Sequence, residues 1–272
     1  MQTSPNAVRN ISIACAAGVC ALAFLWFIHS YSVTATDLCN VAYIPVQGTL
    51  VTYIPMSEGS TTGNSSDQTA SEDVTRAIRD AGTDPSIKGI VLEIDSPGGS
   101  PVAGEEIETA LKDSSKPTAA LIRDEGDSAA YMAASGADAI FASQFSDVGD
   151  IGITQSYSDN AKQDAQEGIT FNQLSIGKYK DMFNTDKPMT ADERTLALQQ
   201  LQLDYDDFVN IVAANRHMAT DTALTLADGA SETGQQALSD GLVDRIGNID
   251  AVRDYMADKI SDDAVICGID SK

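Results

Sequence analysis

Hydrophobic positions are spread unevenly along the chain. Residues 11 to 29, ISIACAAGVCALAFLWFIH, contain no Lys, Arg, Asp or Glu, and as a helix they would extend roughly 28 Å, near the hydrocarbon thickness of a bilayer. After that the apolar runs are short and punctuated. Asn40 to Tyr53 is rich in β-branched and aromatic residues on either side of Gly48, which predicts strand, turn and strand. Residues 57 to 68, SEGSTTGNSSDQ, read as a polar loop. Thr69 and Glu72 have capping-box spacing ahead of Val74, Ala77, Ile78 and Ala81, whose period of about 3.6 residues predicts a helix with one buried face. Ile90 to Ile94 is an unbroken apolar run, predicted as a buried strand, and leads into Asp95-Ser96-Pro97-Gly98-Gly99 and a predicted helix over Val102 to Lys112. A strand over Thr118 to Arg123, a small-residue helix over Ser128 to Ser135 and a strand over Ala139 to Ala142 follow. Beyond Thr190 the pattern predicts a long helix offering Leu196, Leu198, Leu201, Leu203, Phe208 and Val212 for packing. Strands alternating with helices in this way point to an α/β layered fold.

Charge narrows the choice of partners. Seventeen Lys and Arg stand against 40 Asp and Glu, a formal net charge of −23, so the surface repels phosphate backbones and anionic headgroups, and nucleic-acid binding is excluded as a function. Arg9 precedes the apolar segment and the next basic residue is Arg76. This asymmetry predicts a cytoplasmic N-terminus and a domain outside the membrane. A cleaved signal peptide competes with this reading, since Val33-Thr34-Ala35 resembles a cleavage site, but the apolar run is longer than such peptides need. The expected organisation is a cytoplasmic stub and anchor over 1–36 and one domain over 37–272. Cys15 and Cys20 lie in the apolar segment, whereas Cys39 and Cys267 belong to the domain, as one disulfide or as two free thiols. No cysteine or histidine spacing suits a metal, and no cofactor is implied.

The residues suited to chemistry cluster at strand ends. A strand ending in Pro97-Gly98-Gly99 puts backbone N–H groups, unobstructed by Cβ, at a sheet edge where ligands usually bind. Such a turn suits an oxyanion hole, and an ordinary tight turn fits the residues equally well. Gly126-Asp127-Ser128-Ala129-Ala130-Tyr131 places Ser128 where a strand passes into a helix; an alkoxide there is favoured by the helix N-terminus, and an N-cap role is the alternative. The general base is more constrained. His29 and His217 are the only histidines, one at the membrane boundary and one near the end of the long helix, so a Ser-His-Asp triad has little to draw on. A lysine serves instead if burial lowers its pKa from about 10.4 to about 7–8. Lys178 and Lys180 flank Tyr179 after Gly177, and on an extended segment at most one of them points inward.

Taken together, SEDVTRAIRDAGTDPSIKGIVLEIDSPGG, Ser128 to Ala142, the turn Gly149 to Ile153, Gly177-Lys178-Tyr179-Lys180-Asp181 and GQQALSDGLVDRIG resemble signal peptide peptidase A of peptidase family S49, over roughly residues 40 to 250. The form resembled is the short, single-domain, membrane-anchored one. The resemblance implies a fold of the crotonase and caseinolytic-protease type behind an N-terminal transmembrane helix. It implies Ser128 as nucleophile, Lys180 as base, and Gly99, with Gly98, and the Ala129 amide as oxyanion donors. It further implies peptide substrates, either remnant signal peptides or membrane proteins, and a homo-oligomeric ring in which Lys180 serves a neighbour's Ser128. Ala134-Ser135-Gly136 copies the family's usual text around its nucleophile, but the register of Ala137 to Ala142 selects Ser128. This chain departs from the pattern at Asp127 and at Asp150, which stands where a small hydroxyl residue usually contacts the lysine. A carboxylate there raises the lysine pKa and opposes its role as a base. Those departures leave open a catalytically silent, membrane-tethered scaffold; an acyl-CoA enzyme of crotonase type is disfavoured by the export signal and the acidic surface.

Overall fold

The structure, a computed structural model, describes residues 39–55 and 67–268. The segment 11–29, and with it the expected transmembrane anchor, lies outside the described residues, as does most of the polar loop. Among the described residues no helix is long and apolar enough to cross a membrane.

The central segments 41–46, 89–94 and 118–122 are apolar at most positions because both faces of the sheet are covered there. β1 (Val41–Gln47) runs through Gly48 into β2 (Thr49–Val51), which pairs in parallel with β3 (Gln68–Ala70). Then come α1 (Ser71–Thr83), β4 (Gly89–Ser96), α2 (Pro101–Lys112), β5 (Thr118–Asp127), α3 (Ala129–Ser135), β6 (Ile140–Ala142) and β7 (Asp147–Gly149). The C-terminal part adds α4 (Ala161–Gln166), α5 (Ala191–Asn215), α6 (Thr220–Leu226), β8 (Ser231–Thr233), α7 (Gly234–Asp240), β9 (Arg245–Ile246), α8 (Ile249–Ile260) and β10 (Ile266–Gly268). The main sheet has the order β10-β1-β4-β5-β6-β9 with parallel pairing throughout, and β7 joins it beside β5.

Strand side chains alternate between two apolar layers. Ile44, Ile90, Leu92, Ile94, Ala120 and Ile122 point to the side of α1, α2, α3 and α5. Val41, Val91, Leu121 and Phe141 meet Val252, Tyr255 and Met256 of α8. Between β4 and β5 the register jumps: Ile94 is opposite Ile122, yet Ser96 is opposite Gly126. The extra residues in β5 bend it, so its first half pairs with β6 and its last three residues with β7. That bend places the end of β5 at the centre of the site described below.

Several expectations change at this level. Thr69 does not cap α1. It sits in β3, where its hydroxyl accepts from the Gln47 N–H at 2.9 Å and donates to the Gln47 carbonyl at 2.7 Å, so the cross-strand bonds consume the group that a capping box would need. A capping box does form at Thr190 and Glu193, opening α5. Of the packing residues expected on α5, Phe208 and Val212 are buried, whereas Leu198 and Leu203 are exposed; burial in this helix is concentrated in its second half, at Phe208, Val209, Val212 and Ala213. Gly177 to Lys180 is not extended. Gly177 adopts φ 106° and the Lys180 N–H returns to the Gly177 carbonyl at 3.1 Å, wrapping the segment into turns in which neither lysine is buried. The Cys39–Cys267 pair is a disulfide with Cα atoms 5.9 Å apart and a sequence separation of 228. It fastens the edge strand β10 to the start of β1, closing nearly the whole described chain into one loop and restricting the unfolded ensemble accordingly.

Candidate active site

Ser128 occupies the single residue between the end of β5 and the start of α3, with φ 53° and ψ −123°. A side-chain-bearing residue enters this region only when its surroundings hold it there, at a cost of about 1–3 kcal/mol. The holding contacts come from the sheet and from two glycines. The Ser128 N–H donates to the Gly149 carbonyl of β7 at 2.7 Å, and the Ser128 carbonyl accepts from the Met132 N–H at 3.0 Å. A Cβ on Gly98 would lie 2.8 Å from the Ser128 Cβ, and one on Gly104 of α2 would lie 2.5 Å from the Ala129 carbonyl oxygen. α3 is buried along its whole length. Ser128 stands in the N-cap position, yet its side chain makes no capping hydrogen bond, so the hydroxyl is not used up by the backbone.

The glycine turn after β4 closes over the same point. Ser96 Oγ donates to the Gly48 carbonyl at 2.6 Å and accepts from the Gly98 N–H at 3.1 Å. Leu50 donates to the Gly98 carbonyl at 2.8 Å, and its own carbonyl accepts from Ser100 at 2.9 Å. Gly99 is thereby pinned at φ 149°, where a Cβ would lie 2.2 Å from the Leu50 carbonyl oxygen. The Gly98 amide is thus occupied by Ser96. The Gly99 amide has no acceptor among the described residues, and the Ala129 amide, first in α3, has none within its helix.

Ser128 and Gly99 open into a cavity of about 380 Å³ bordered also by Asp150, Tyr205, Asp228 and Gly229. Asp150 has φ 44°, and its N–H donates to the Ala230 carbonyl at 3.2 Å; burial holds its carboxyl above the usual range. Asp127 lies behind Ser128. Its Oδ2 accepts from Ser231 Oγ at 2.8 Å, while Oδ1 is buried without a partner among the described residues. Burial raises this carboxyl, the Ser231 hydrogen bond opposes the shift, and the nearby Asp150 and Asp147 charges add to it. A larger groove of about 990 Å³ runs between α1 and α2 and contains none of the residues singled out for chemistry.

Lys180 does not border the Ser128 cavity. It lies on the excursion between β7 and α5, where Lys178 pairs with Asp192 at 2.7 Å, raising the Lys178 pKa, and stands over the Tyr179 ring. Ser135 is at the far end of α3, buried, donating to the Met132 carbonyl at 2.7 Å and accepting from Asn215 Nδ2 at 3.0 Å. His217 borders a separate cavity together with Ser135 and Asp244. Asp228 and Tyr205 also belong to the cavity wall; no local sequence pattern marks them, because the packing of α5 on α6, with the Tyr205 hydroxyl donating to the Ala227 carbonyl at 2.7 Å, brings them together. Among the described residues no group of His, Cys, Asp and Glu is arranged to hold a metal.

Comparison with known proteins gives a consistent result. The family model described as peptidase family S49 matches residues 110–261. The chain is 34% identical over 172 residues to a protein of Methanocaldococcus jannaschii, covering 62% of this chain and 55% of that one. It is 30% identical over 181 residues to the chloroplastic serine protease SPPA of Arabidopsis thaliana, covering 65% and 27% respectively. It is 27% identical over 213 residues to the capsid assembly protease C of phage lambda, covering 77% and 47%. The chain thus spans about half the length, or less, of these curated relatives. Among solved structures, a ClpP1 mutant from Listeria monocytogenes superposes with a TM-score of 0.50 at 13% identity, over 80% of this chain and 96% of that one. That likeness places the sheet and its helices in the caseinolytic-protease type of α/β fold.

Proposed function

Because the chain belongs to peptidase family S49, we propose that it is a serine endopeptidase in which Ser128 attacks the peptide carbonyl and a neutral Lys180 takes its proton. The observation that carries the reading is Ser128 itself: a strained, uncapped serine facing a cavity, with the Gly99 and Ala129 amides free of other acceptors among the described residues. In the acylation step the Ser128 Oγ–carbon bond forms and the hydroxyl proton passes to Lys180 Nζ. The carbonyl oxygen takes the negative charge, which the two amides stabilise. Collapse breaks the carbon–nitrogen bond, and the leaving amine takes the proton from Lys180. Water then attacks the acyl-enzyme with Lys180 again as base, and the serine is regenerated. Gly98, with its amide turned to Ser96, shapes the turn rather than donating.

The base reaches the serine in an assembly. Lys180 stands outside the cavity of its own chain on an excursion that exposes Leu174 and Ile176 almost fully, 100% and 99%. Apolar side chains in that state are usually covered by a partner, and a ring of identical chains supplies both the cover and the lysine. In this reading residues 11–29 anchor the ring, with the 37–272 domain on the outer membrane face, and the substrates are remnant signal peptides or segments of membrane proteins. Asp150 tunes Lys180 when the two meet: replacing it with Ser lowers the pH at which activity develops.

A catalytically silent scaffold is favoured by one observation, the carboxylate of Asp150 in a cavity that lacks a lysine in the single chain. A serine-reactive fluorophosphonate separates the two. Labelling of the wild type and not of Ser128→Ala is expected, and mixed Ser128→Ala and Lys180→Ala chains regain a fraction of turnover. Absence of labelling in an assembled wild-type particle rejects the enzyme, and absence of rescue in proven mixed particles rejects the shared dyad.

A further inference from the structure

α3 is short and smooth, yet its first N–H has to be held in place. Its seven residues are all buried, and Ala129, Ala130, Ala133 and Ala134 make up most of them; alanines pack closely but give their neighbours little relief to resist displacement along the axis. Backbone meets backbone at both ends of the helix. A Cβ on Gly104 would lie 2.5 Å from the Ala129 carbonyl oxygen, and one on Gly136 would lie 2.5 Å from the Glu108 carbonyl oxygen, so α2 runs beside α3 like a rail. Two polar side chains of α3 reach fixed partners. The Tyr131 hydroxyl donates to the Leu242 carbonyl at 2.9 Å, a single tie about which a helix can still pivot. The second is Ser135, about 9 Å along the axis from Ala129. Its hydroxyl accepts from Asn215 Nδ2 at 3.0 Å, and the same nitrogen donates to Glu108 Oε1 at 2.6 Å. Glu108 is buried; its Oε1 also meets Lys112 Nζ at 3.1 Å, and its Oε2 accepts from the Thr109 hydroxyl at 3.1 Å.

Glu108, Ser135 and Asn215 come from the C-terminal parts of three helices, α2, α3 and α5. Each is costly to bury alone, and apolar side chains of similar volume would serve stability as well. What a hydrogen-bonded trio adds is direction, because its bonds are satisfied at one setting of the three helices. Assuming the peptidase reading above, on which this inference rests, we propose that Ser135, Asn215 and Glu108 form a positioning latch for the oxyanion site. The latch fixes α3 along its axis, and so sets the Ala129 N–H against the oxygen that gains charge when Ser128 attacks. All three are positioning residues, acting through α3 and touching no substrate. A hydrogen bond to a developing oxyanion weakens steeply with distance and angle, so a small slide at Ala129 costs rate while the buried packing stays in place. Gly99 donates from a separate turn, and the loss is therefore partial.

The test uses the full chain, with peptide turnover normalised to the sites that a fluorophosphonate titrates, at temperatures well below unfolding of each variant. Asn215→Ala is expected to lower kcat about tenfold with KM unchanged, the pattern of an interaction made only in the transition state. A peptide aldehyde, whose carbonyl oxygen takes the oxyanion position once Ser128 Oγ has added to it, should bind about tenfold more weakly. The matching peptide alcohol, which forms no such adduct, should bind as before. Glu108→Ala should behave like Asn215→Ala, whereas Glu108→Gln, which keeps an oxygen for Asn215 and loses only the half-exposed Lys112 pair, should restore kcat to within about twofold. Ser135→Ala combined with Asn215→Ala should be no slower than Asn215→Ala alone, because both break one latch. Where Asn215→Ala does not fold, Ser135→Ala carries the same comparison, since it leaves the bond between Asn215 and Glu108 in place. A per-site kcat equal to wild type in the folded variants, with only the denaturant midpoint lowered, overturns the latch and leaves the peptidase standing. Equal losses for aldehyde and alcohol assign the effect to substrate binding and overturn it as well. A wild type that neither labels nor turns over any peptide defeats the peptidase reading, and the latch with it.

Discussion

Ser128 and Lys180 belong to regions built by different physical means. Around Ser128 the backbone is tied to β7, to the glycine turn after β4 and to α2: β7 receives its N–H, Gly98 packs on its Cβ, and Gly104 packs on the residue that follows. Burial and pairing there are cooperative, so the serine holds a backbone conformation it would not choose alone. Around Lys180 the reverse applies. None of residues 154–190 is buried, and the only regular element among them, α4, has no buried residue. Local contacts hold the excursion: Asn160 N–H on the Thr185 carbonyl at 2.6 Å, Tyr157 edge-on to Phe183 at 5.9 Å, and the Lys187–Glu193 pair at 2.7 Å where it rejoins α5. A serine positioned by a core and a lysine positioned by turns respond differently to substitution, and that difference is open to measurement.

The largest effect is expected on the core-held side. Gly99→Ala forces a Cβ against the Leu50 carbonyl at a backbone angle that favours glycine, and relieving the clash costs about 3 kcal/mol. Urea denaturation should show that loss, and fluorophosphonate labelling should fall at least about a hundredfold, because the Gly99 amide moves with the turn. Unchanged labelling would mean that this amide is not an oxyanion donor.

The excursion should respond to acid before the core does. The Lys187 ammonium, followed by the Thr190 N–H and hydroxyl, lowers the Glu193 pKa from 4.5 to about 2. With the folded value depressed, its contribution is fully present above the ordinary value and is lost as pH falls through about 2. Pepsin cleavage between residues 154 and 190 should therefore accelerate several-fold between pH 4.5 and 2, ahead of cleavage within β4 or β5. Glu193→Gln should show the faster rate at the upper end of that range. Equal rates across the range would remove Glu193 as the anchor of the excursion.

The same contrast separates what could be read from the sequence from what could not. β4, α2, β5 and α3 were legible because their apolar residues repeat at strand or helix period and Pro, Gly or Ser mark their ends. The place of Ser128 between a strand and a helix was legible from the strand, small-residue helix and strand pattern of residues 118 to 142, which the structure keeps. Thr69 misled because spacing alone does not say whether a hydroxyl faces a helix end or a neighbouring strand, and Gln47 lies 22 residues away. The spacing of Lys178 and Lys180 is uninformative for a related reason: they alternate faces only on an extended segment, and Gly177 turns the chain. The Asp228 wall and the Cys39–Cys267 bridge depend on the C-terminal third returning to β7 and β1, contacts that no local pattern encodes.

The smallest effect returns to the core side and bears on the residue just before Ser128. Asp127 is buried with Oδ1 unpartnered and Oδ2 held by Ser231. Burial raises its carboxyl above the usual 3.8, with Asp150 and Asp147 adding to the shift. Because the folded value is the higher one, the folded state binds the proton more tightly. Stability therefore falls as pH rises from about 3.8 through the raised value, and stays lowered above it. Glu125, Asp150 and Glu232 are raised as well, each chiefly by burial, so this end of β5 and its neighbours should tighten on mild acidification, well above the range in which the Glu193 anchor fails. Asp127→Asn removes the charge and keeps an oxygen for Ser231, and at pH 7 it should raise the unfolding free energy by about 1 kcal/mol, the usual scale for a buried polar group lacking a partner. Denaturant midpoints for wild type and variant across the range from pH 7 down to about 3.8 decide the matter. The variant should be ahead at pH 7 and the gap should narrow as the pH is lowered toward 3.8; a gap that stays constant would assign the effect to packing rather than to the proton.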